Sequence, residues 1–176
     1  MPTDFKARLL LHLFSLAALL YFGCAQAVEI EPGDNLPMPE LHWQDSQDTI
    51  HRLSETNGKP RVLHFWAAWC IPCREELPAL LRWQSGNHDI EVIALSLDQR
   101  IAQTRHFIDK HHLSMPALLI NEDDSDALGI PVLPYTILVT ADGRFSGHIA
   151  GIAEWDSADF SRQLREHFSL TVTAQQ

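Results

Sequence analysis

Basic side chains are scarce in this chain. Its 13 Lys and Arg stand against 23 Asp and Glu, for a formal net charge of −10 at pH 7. That balance excludes nucleic acid as a partner, because neutralising phosphates takes a basic patch. Cysteine is scarcer still, at 3 in 176 residues. Three thiols cannot build a disulfide framework or a four-thiolate zinc site, and the one Cys-x-x-Cys, Cys70 to Cys73, is at most half of such a site. The acidic run Glu122-Asp123-Asp124-Ser125-Asp126 lacks the glycine and closing Glu of an EF-hand loop, so it reads as a solvated helix start rather than a calcium site. Internal repeats, low-complexity tracts and interdomain linkers are all missing. Behind an N-terminal arm the chain reads as one domain.

The first residues carry a leader pattern. Lys6 and Arg8 precede an apolar run at 9–22, broken by His12 and Ser15, and Ala25-Gln26-Ala27 supplies small residues where a signal peptidase reads. The run is short of the ~20 residues that span a bilayer. Residues 1–27 are therefore expected to be a signal peptide and residues 28–176 the mature chain, exported to the periplasm. Cys24 offers lipidation as an alternative, although Tyr21 stands where a lipobox carries Leu. Retention as a membrane anchor is the other alternative. Export places Cys70 and Cys73 where disulfides persist. A bridge between them closes a loop too small to restrain the unfolded chain much, which leaves redox chemistry or metal binding. His111-His112 lies in a different predicted helix with no matching companion motif, so no metal is expected.

Periodicity orders the rest. Residues 28–39, with three prolines and Gly33, read as an extended arm. Residues 41–43 and 49–51 flank a polar run and predict a small hairpin. Asn57-Gly58-Lys59-Pro60 is a turn. Residues 61–66 and 90–97 read as central strands and 117–120 as a short one. Residues 71–84, 99–112 and 155–168 have helical spacing, the last with Asp156 or Ser157 as its cap. Residues 135–140 and 144–149 predict a hairpin around Ala141-Asp142-Gly143. Strands alternating with helices, then a hairpin, predict an α/β fold with a mixed sheet.

A strand that ends in Cys-x-x-Cys at the start of a helix has a chemical logic. Unpaired N–H groups and the macrodipole at the helix N-terminus stabilise a thiolate at Cys70, the attacking species. Cys73, one turn inside, is placed to attack the resulting mixed disulfide. Pro72 suits the first turn, where a missing N–H costs little.

The surrounding run, Phe65-Trp66-Ala67-Ala68-Trp69-Cys70-Ile71-Pro72-Cys73-Arg74-Glu75-Glu76-Leu77-Pro78, resembles the thioredoxin superfamily, and within it the TlpA/ResA/CcmG branch of exported reductases. The resemblance runs from about Gly33 to the last helix and takes in Gly58-Lys59-Pro60, Pro78 and Pro134 before Asp142-Gly143. It implies a thioredoxin fold, a central mixed β-sheet flanked by helices, with an N-terminal β-hairpin extension. It implies a thiol–disulfide oxidoreductase with Cys70 and Cys73 as its redox disulfide and no cofactor. Pro134 matches the family's cis-proline facing the disulfide, and Leu133 before it would offer backbone to an extended substrate. Trp69, Ile71 and Pro72 complete the expected substrate-binding set, while Trp66 packs beneath the disulfide.

Two positions frame the acid–base chemistry. Glu76 matches the branch's Glu three residues after the second cysteine and is expected, with His64, to accept the proton of the resolving thiol. His64 departs from the family, which usually carries Asp or Asn there, and a satisfied core histidine is the alternative reading. The branch further implies protein disulfides as substrates, a membrane thiol-electron transporter as reductant, and a role in cytochrome c maturation. A peroxiredoxin-like enzyme and a non-catalytic thiol- or metal-binding module are the rival readings.

Overall fold

The structure, a computed structural model, describes residues 29–173 apart from Asn57. The expected signal peptide, Cys24 and the first residue of the expected turn at 57–60 lie outside the described residues. Among those residues the strands are β1 (Glu31–Pro32), β2 (His42–Asp45), β3 (Ile50–Arg52), β4 (Arg61–Trp66), β5 (Glu91–Ser96), β6 (Leu118–Ile120), β7 (Tyr135–Val139) and β8 (Phe145–Ala150), and the helices are α1 (Ile71–Gly86), α2 (Ile101–Lys110), α3 (Glu122–Leu128) and α4 (Ala158–Thr173). One sheet holds all eight strands in the order β1-β8-β7-β4-β5-β6-β2-β3. Only β4–β5 and β5–β6 are parallel, so the sheet is mixed. With helices on its faces and the β2–β3 hairpin at one edge, this is the thioredoxin fold that the resemblance implied.

β4 is central because every one of its six side chains is buried. Its alternation divides them between two cores. Val62 and Trp66 join Cys70, Cys73, Leu77 and Leu80 of the α1 side, together with Phe107 of α2 and Leu164 of α4. Leu63 and Phe65 join Leu41, Trp43 and Leu53 of the hairpin region on the other. His64 falls in the first set by the same alternation. It therefore points to the side that carries the cysteines.

The arm is not a loose extension. β1 pairs antiparallel with β8, Glu31 opposite His148 and Pro32 opposite Gly147. Gly33 N–H continues the ladder to Ser146 O at 2.8 Å. Two glycines permit this approach: a Cβ on Gly147 would lie 2.6 Å from Glu31 O, and one on Gly33 2.6 Å from Phe145 O. Proline is tolerable here because β1 is the sheet's edge.

Helix ends follow local chemistry. Asn121 Oδ1 accepts from Asp124 N–H at 3.3 Å and three acids fill the first turn of α3, with Gly129 in the left-handed conformation closing it. The acidic run is thus a helix start. Ser157 Oγ accepts from Phe160 N–H at 3.3 Å ahead of α4, whereas Asp156 pairs with Arg82.

Candidate active site

The turn between β4 and α1 sets the site. Cys70 N–H donates to Ala67 O at 3.0 Å, and the carboxylate of Asp98 receives Ala68 N–H at 3.1 Å. Asp98 is buried, held by the hydroxyls of Ser96 at 2.8 Å and Thr104 at 3.0 Å. Two elements, the end of β5 and the first turn of α2, therefore brace the turn that presents the cysteine. Sequence reading missed this brace, since Asp98 reads as an ordinary loop acid.

Cys70 is the N-cap of α1, with Pro72 in the first turn. Cys73 N–H points at Cys70 Sγ at 3.3 Å. The two sulfurs are joined as a disulfide with a Cα–Cα separation of 5.3 Å. Cys70 is 6% exposed and Cys73 wholly buried, so an incoming thiol reaches Cys70 first. An N–H donor and the helix N-terminus at Cys70 favour its ionised form once the bridge opens.

Around Cys70 lies an open depression of about 590 Å³ lined by Trp69, Ile71, Pro72, Leu97, Ile130, Pro131, Val132 and Leu133. Trp69 is 67% exposed and Ile71 64%, an unusual display for large apolar side chains beside a reactive group. The Leu133–Pro134 bond is cis. Leu133 lines the depression and Pro134 is buried behind it. All the expected substrate-facing residues except Pro134 thus meet at one opening, and Ile130 and Val132 join them without having been foreseen. Trp66 is fully buried in the same core as both cysteines and packs on Phe107, 5.6 Å between ring centroids.

Glu76 is a core residue, not a solvated helix face, with only 3% of its surface exposed. It sits one helical turn past Cys73. Its Oε1 accepts from Ala153 N–H at 2.9 Å and from the indole N–H of Trp155, while Oε2 is buried without a partner. Burial raises the carboxyl to about 7, against the lowering pull of the Ala153 and Trp155 hydrogen bonds. A carboxyl poised near neutrality is suited to proton transfer. Glu76 and Trp155 also line a shallow depression with Glu75, Ala79, Ile152, Glu154 and Asp156, and this depression shares no lining residue with the one around Cys70.

His64 is fully buried. Its Nδ1 lies 3.0 Å from Thr136 Oγ1, its Nε2 has no partner, and its ring meets Trp155 edge-on at 6.2 Å. Burial pushes the imidazole down to about 3. It is therefore neutral near pH 7. What it adds is a stiff polar neighbour for Trp155. Among the described residues, no group of three His, Cys, Asp or Glu side chains is arranged to hold a metal ion.

Comparison with known proteins finds relatives of the same fold. Residues 32–146 match the model of the AhpC/TSA family. Thioredoxin-like protein YneN of Bacillus subtilis is 32% identical over 120 residues, 66% of this chain and 69% of that protein. Thiol-disulfide oxidoreductase ResA of Geobacillus thermodenitrificans is 27% identical over 116 residues, 64% of this chain and 67% of that protein. The crystal structure of a thiol:disulfide interchange protein of the thioredoxin family from Chlorobium tepidum superposes with a TM-score of 0.64 at 20% identity, covering 77% of this chain and 98% of that one.

Proposed function

The chain belongs to the AhpC/TSA family and is a thiol–disulfide oxidoreductase, and from that premise we propose that it works in the periplasm as a reductase of protein disulfides, in the maturation of cytochrome c. The observation that carries the reading is the pairing of an accessible Cys70, rimmed by exposed Trp69 and Ile71, with a sealed Cys73. An apolar rim around a single reachable sulfur suits an extended polypeptide better than a small oxidant.

In this reading Cys70 thiolate attacks a sulfur of the substrate disulfide, forming a mixed disulfide and releasing one substrate thiolate. Glu76 takes the proton of the Cys73 thiol. The Cys73 thiolate then attacks Cys70 Sγ, the mixed disulfide breaks, and the second substrate thiolate leaves. Two electrons have passed to the substrate, and the Cys70–Cys73 disulfide is left behind. A membrane thiol-electron transporter returns two electrons through the same sulfurs. Trp69, Ile71, Pro72 and Leu133 hold the substrate segment, with Pro134 shaping the wall behind it.

The peroxide reading gains no support at the site. It asks for a Thr and an Arg beside the nucleophile. Thr136 is bonded to His64, Arg61 is bonded to Leu53 O and Thr140 O at the far end of β4, and Arg74 lies over Phe107. A Cys73→Ser protein expressed as the full chain tests the proposal. It should accumulate stable mixed disulfides with exported proteins through Cys70. Recovery of none, or peroxide consumption by the wild type at rates exceeding disulfide reduction, would overturn it.

A further inference from the structure

Both hydrogen bonds to the Glu76 carboxyl fall on one oxygen. Oε1 receives Ala153 N–H at 2.9 Å and the indole N–H of Trp155, and Oε2 is buried with no partner. The indole has no freedom to turn away. Trp155 is only 2% exposed and packs on Trp83 at 5.4 Å, Phe160 at 5.2 Å and His64 at 6.2 Å. His64 is in turn fixed by Thr136 across the β4–β7 ladder, where the two residues are register partners.

The consequence is chemical. An oxygen that already accepts two hydrogen bonds is the poorer site for a third proton, so an arriving proton settles on the other oxygen. With one oxygen pinned from the loop before α4, the carboxyl cannot rotate to exchange the two. We infer that Trp155 is a positioning residue of the resolving step: it clamps Glu76 by Oε1 so that Oε2 is the oxygen that takes the proton of Cys73. This rests on the reading of Glu76 as proton acceptor given above. The proton passes from Cys73 Sγ to Oε2 while the indole N–H stays on Oε1, donating to the carboxyl in both of its charge states. The titratable groups around the clamp are Cys73 on the same helix, His64 across the indole, and Glu75, Glu154 and Asp156 at the rim of the neighbouring depression, with Asp156 paired to Arg82.

The test is a pH series of single-turnover oxidation of the reduced full chain by a saturating disulfide peptide, where the intramolecular step limits. The wild-type rate should rise through a midpoint near 7, because the acceptor must be ionised. Glu76→Gln should lose that rise. Trp155→Phe keeps an aromatic ring but no donor to the carboxylate, so the rise should persist with its midpoint moved upward. A shift of one unit leaves roughly five-fold less ionised carboxylate at pH 7, hence a rate about five-fold lower there. A second measurement needs no altered fold. In the wild type the Trp155 indole N–H resonance should move with pH at the Glu76 midpoint, and in Glu76→Gln it should stand still. An unmoved midpoint in Trp155→Phe, or an indole resonance blind to pH, overturns the clamp while leaving Glu76 as acceptor. A rise that survives in Glu76→Gln overturns the acceptor itself and the clamp with it.

Discussion

Glu76→Gln should make the oxidised protein more stable at alkaline pH while disabling it. Glutamine keeps a carbonyl oxygen for Ala153 N–H and the Trp155 indole, so the packing of the loop before α4 survives. What it removes is an ionisable proton. In the unfolded chain Glu76 ionises near its ordinary 4.5, whereas in the folded protein burial holds it to about 7. Between those values the native state carries a proton that the unfolded state lacks, so stability falls as pH rises. The interval of 4.5 to about 7 is worth about 3 kcal/mol at 1.36 kcal/mol per unit. Urea unfolding of the oxidised proteins, followed by tryptophan fluorescence, measures it. The stability difference between variant and wild type should grow by about 3 kcal/mol in favour of the variant from about pH 4 to pH 8.5. All other titrating groups are common to both proteins and cancel in the difference. A difference that stays constant across that range would refute the claim that the fold holds this carboxyl near neutrality.

Three further outcomes are expected. His64 has the opposite sign: its unfolded imidazole takes a proton near 6.5 and the buried one only near 3, so the wild type loses stability on acidification, and His64→Leu should lose roughly 3 kcal/mol less between pH 6.5 and pH 4 in the same unfolding assay. Gly147→Ala drives a Cβ to 2.6 Å from Glu31 O, backbone that has no side-chain freedom to yield, so it should cost about 1–3 kcal/mol and strip amide-exchange protection from Gly33. Trp69→Ala and Ile71→Ala each remove exposed apolar surface that a polypeptide would cover, worth about 1–2 kcal/mol; KM for a protein disulfide should rise about five- to thirty-fold, with turnover of glutathione disulfide changed by less than about two-fold.

The parts of this fold that follow from periodicity could be read in the sequence. β4 is rich in large apolar side chains, broken only by Arg61 and His64, because it is covered on both faces, and α1 carries its stripe beside a cysteine that must sit at its N-terminus. The hairpin at 135–150 is marked by its own turn. β1 could not be read, because its pairing depends on bare backbone at Gly33 and Gly147 meeting from opposite ends of the chain. The active site divides in the same way. Cys70, Cys73 and Glu76 share one helix, and their spacing shows them together. Trp155 reaches Glu76 from 79 residues on, and Asp98 reaches Ala68 from 30 on, out of loops with no pattern to betray them. His64 shows its face by alternation, yet its neutrality is a property of the surrounding burial, which no residue spacing encodes.

On the proposed function, the two depressions beside α1 divide recognition from acid–base work. One holds Trp69, Ile71 and Leu133, the other Glu76 and Trp155, and no residue lines both. A polypeptide tethered through Cys70 covers the first and leaves the second facing water. Glu76 lies buried beneath the second, so on the proposed reading a client's departure and the carboxyl's loss of its proton are not obliged to occur in one order. The same division makes the two properties independently heritable: the rim can be recast for another client without retuning the carboxyl, and the carboxyl retuned without changing the client.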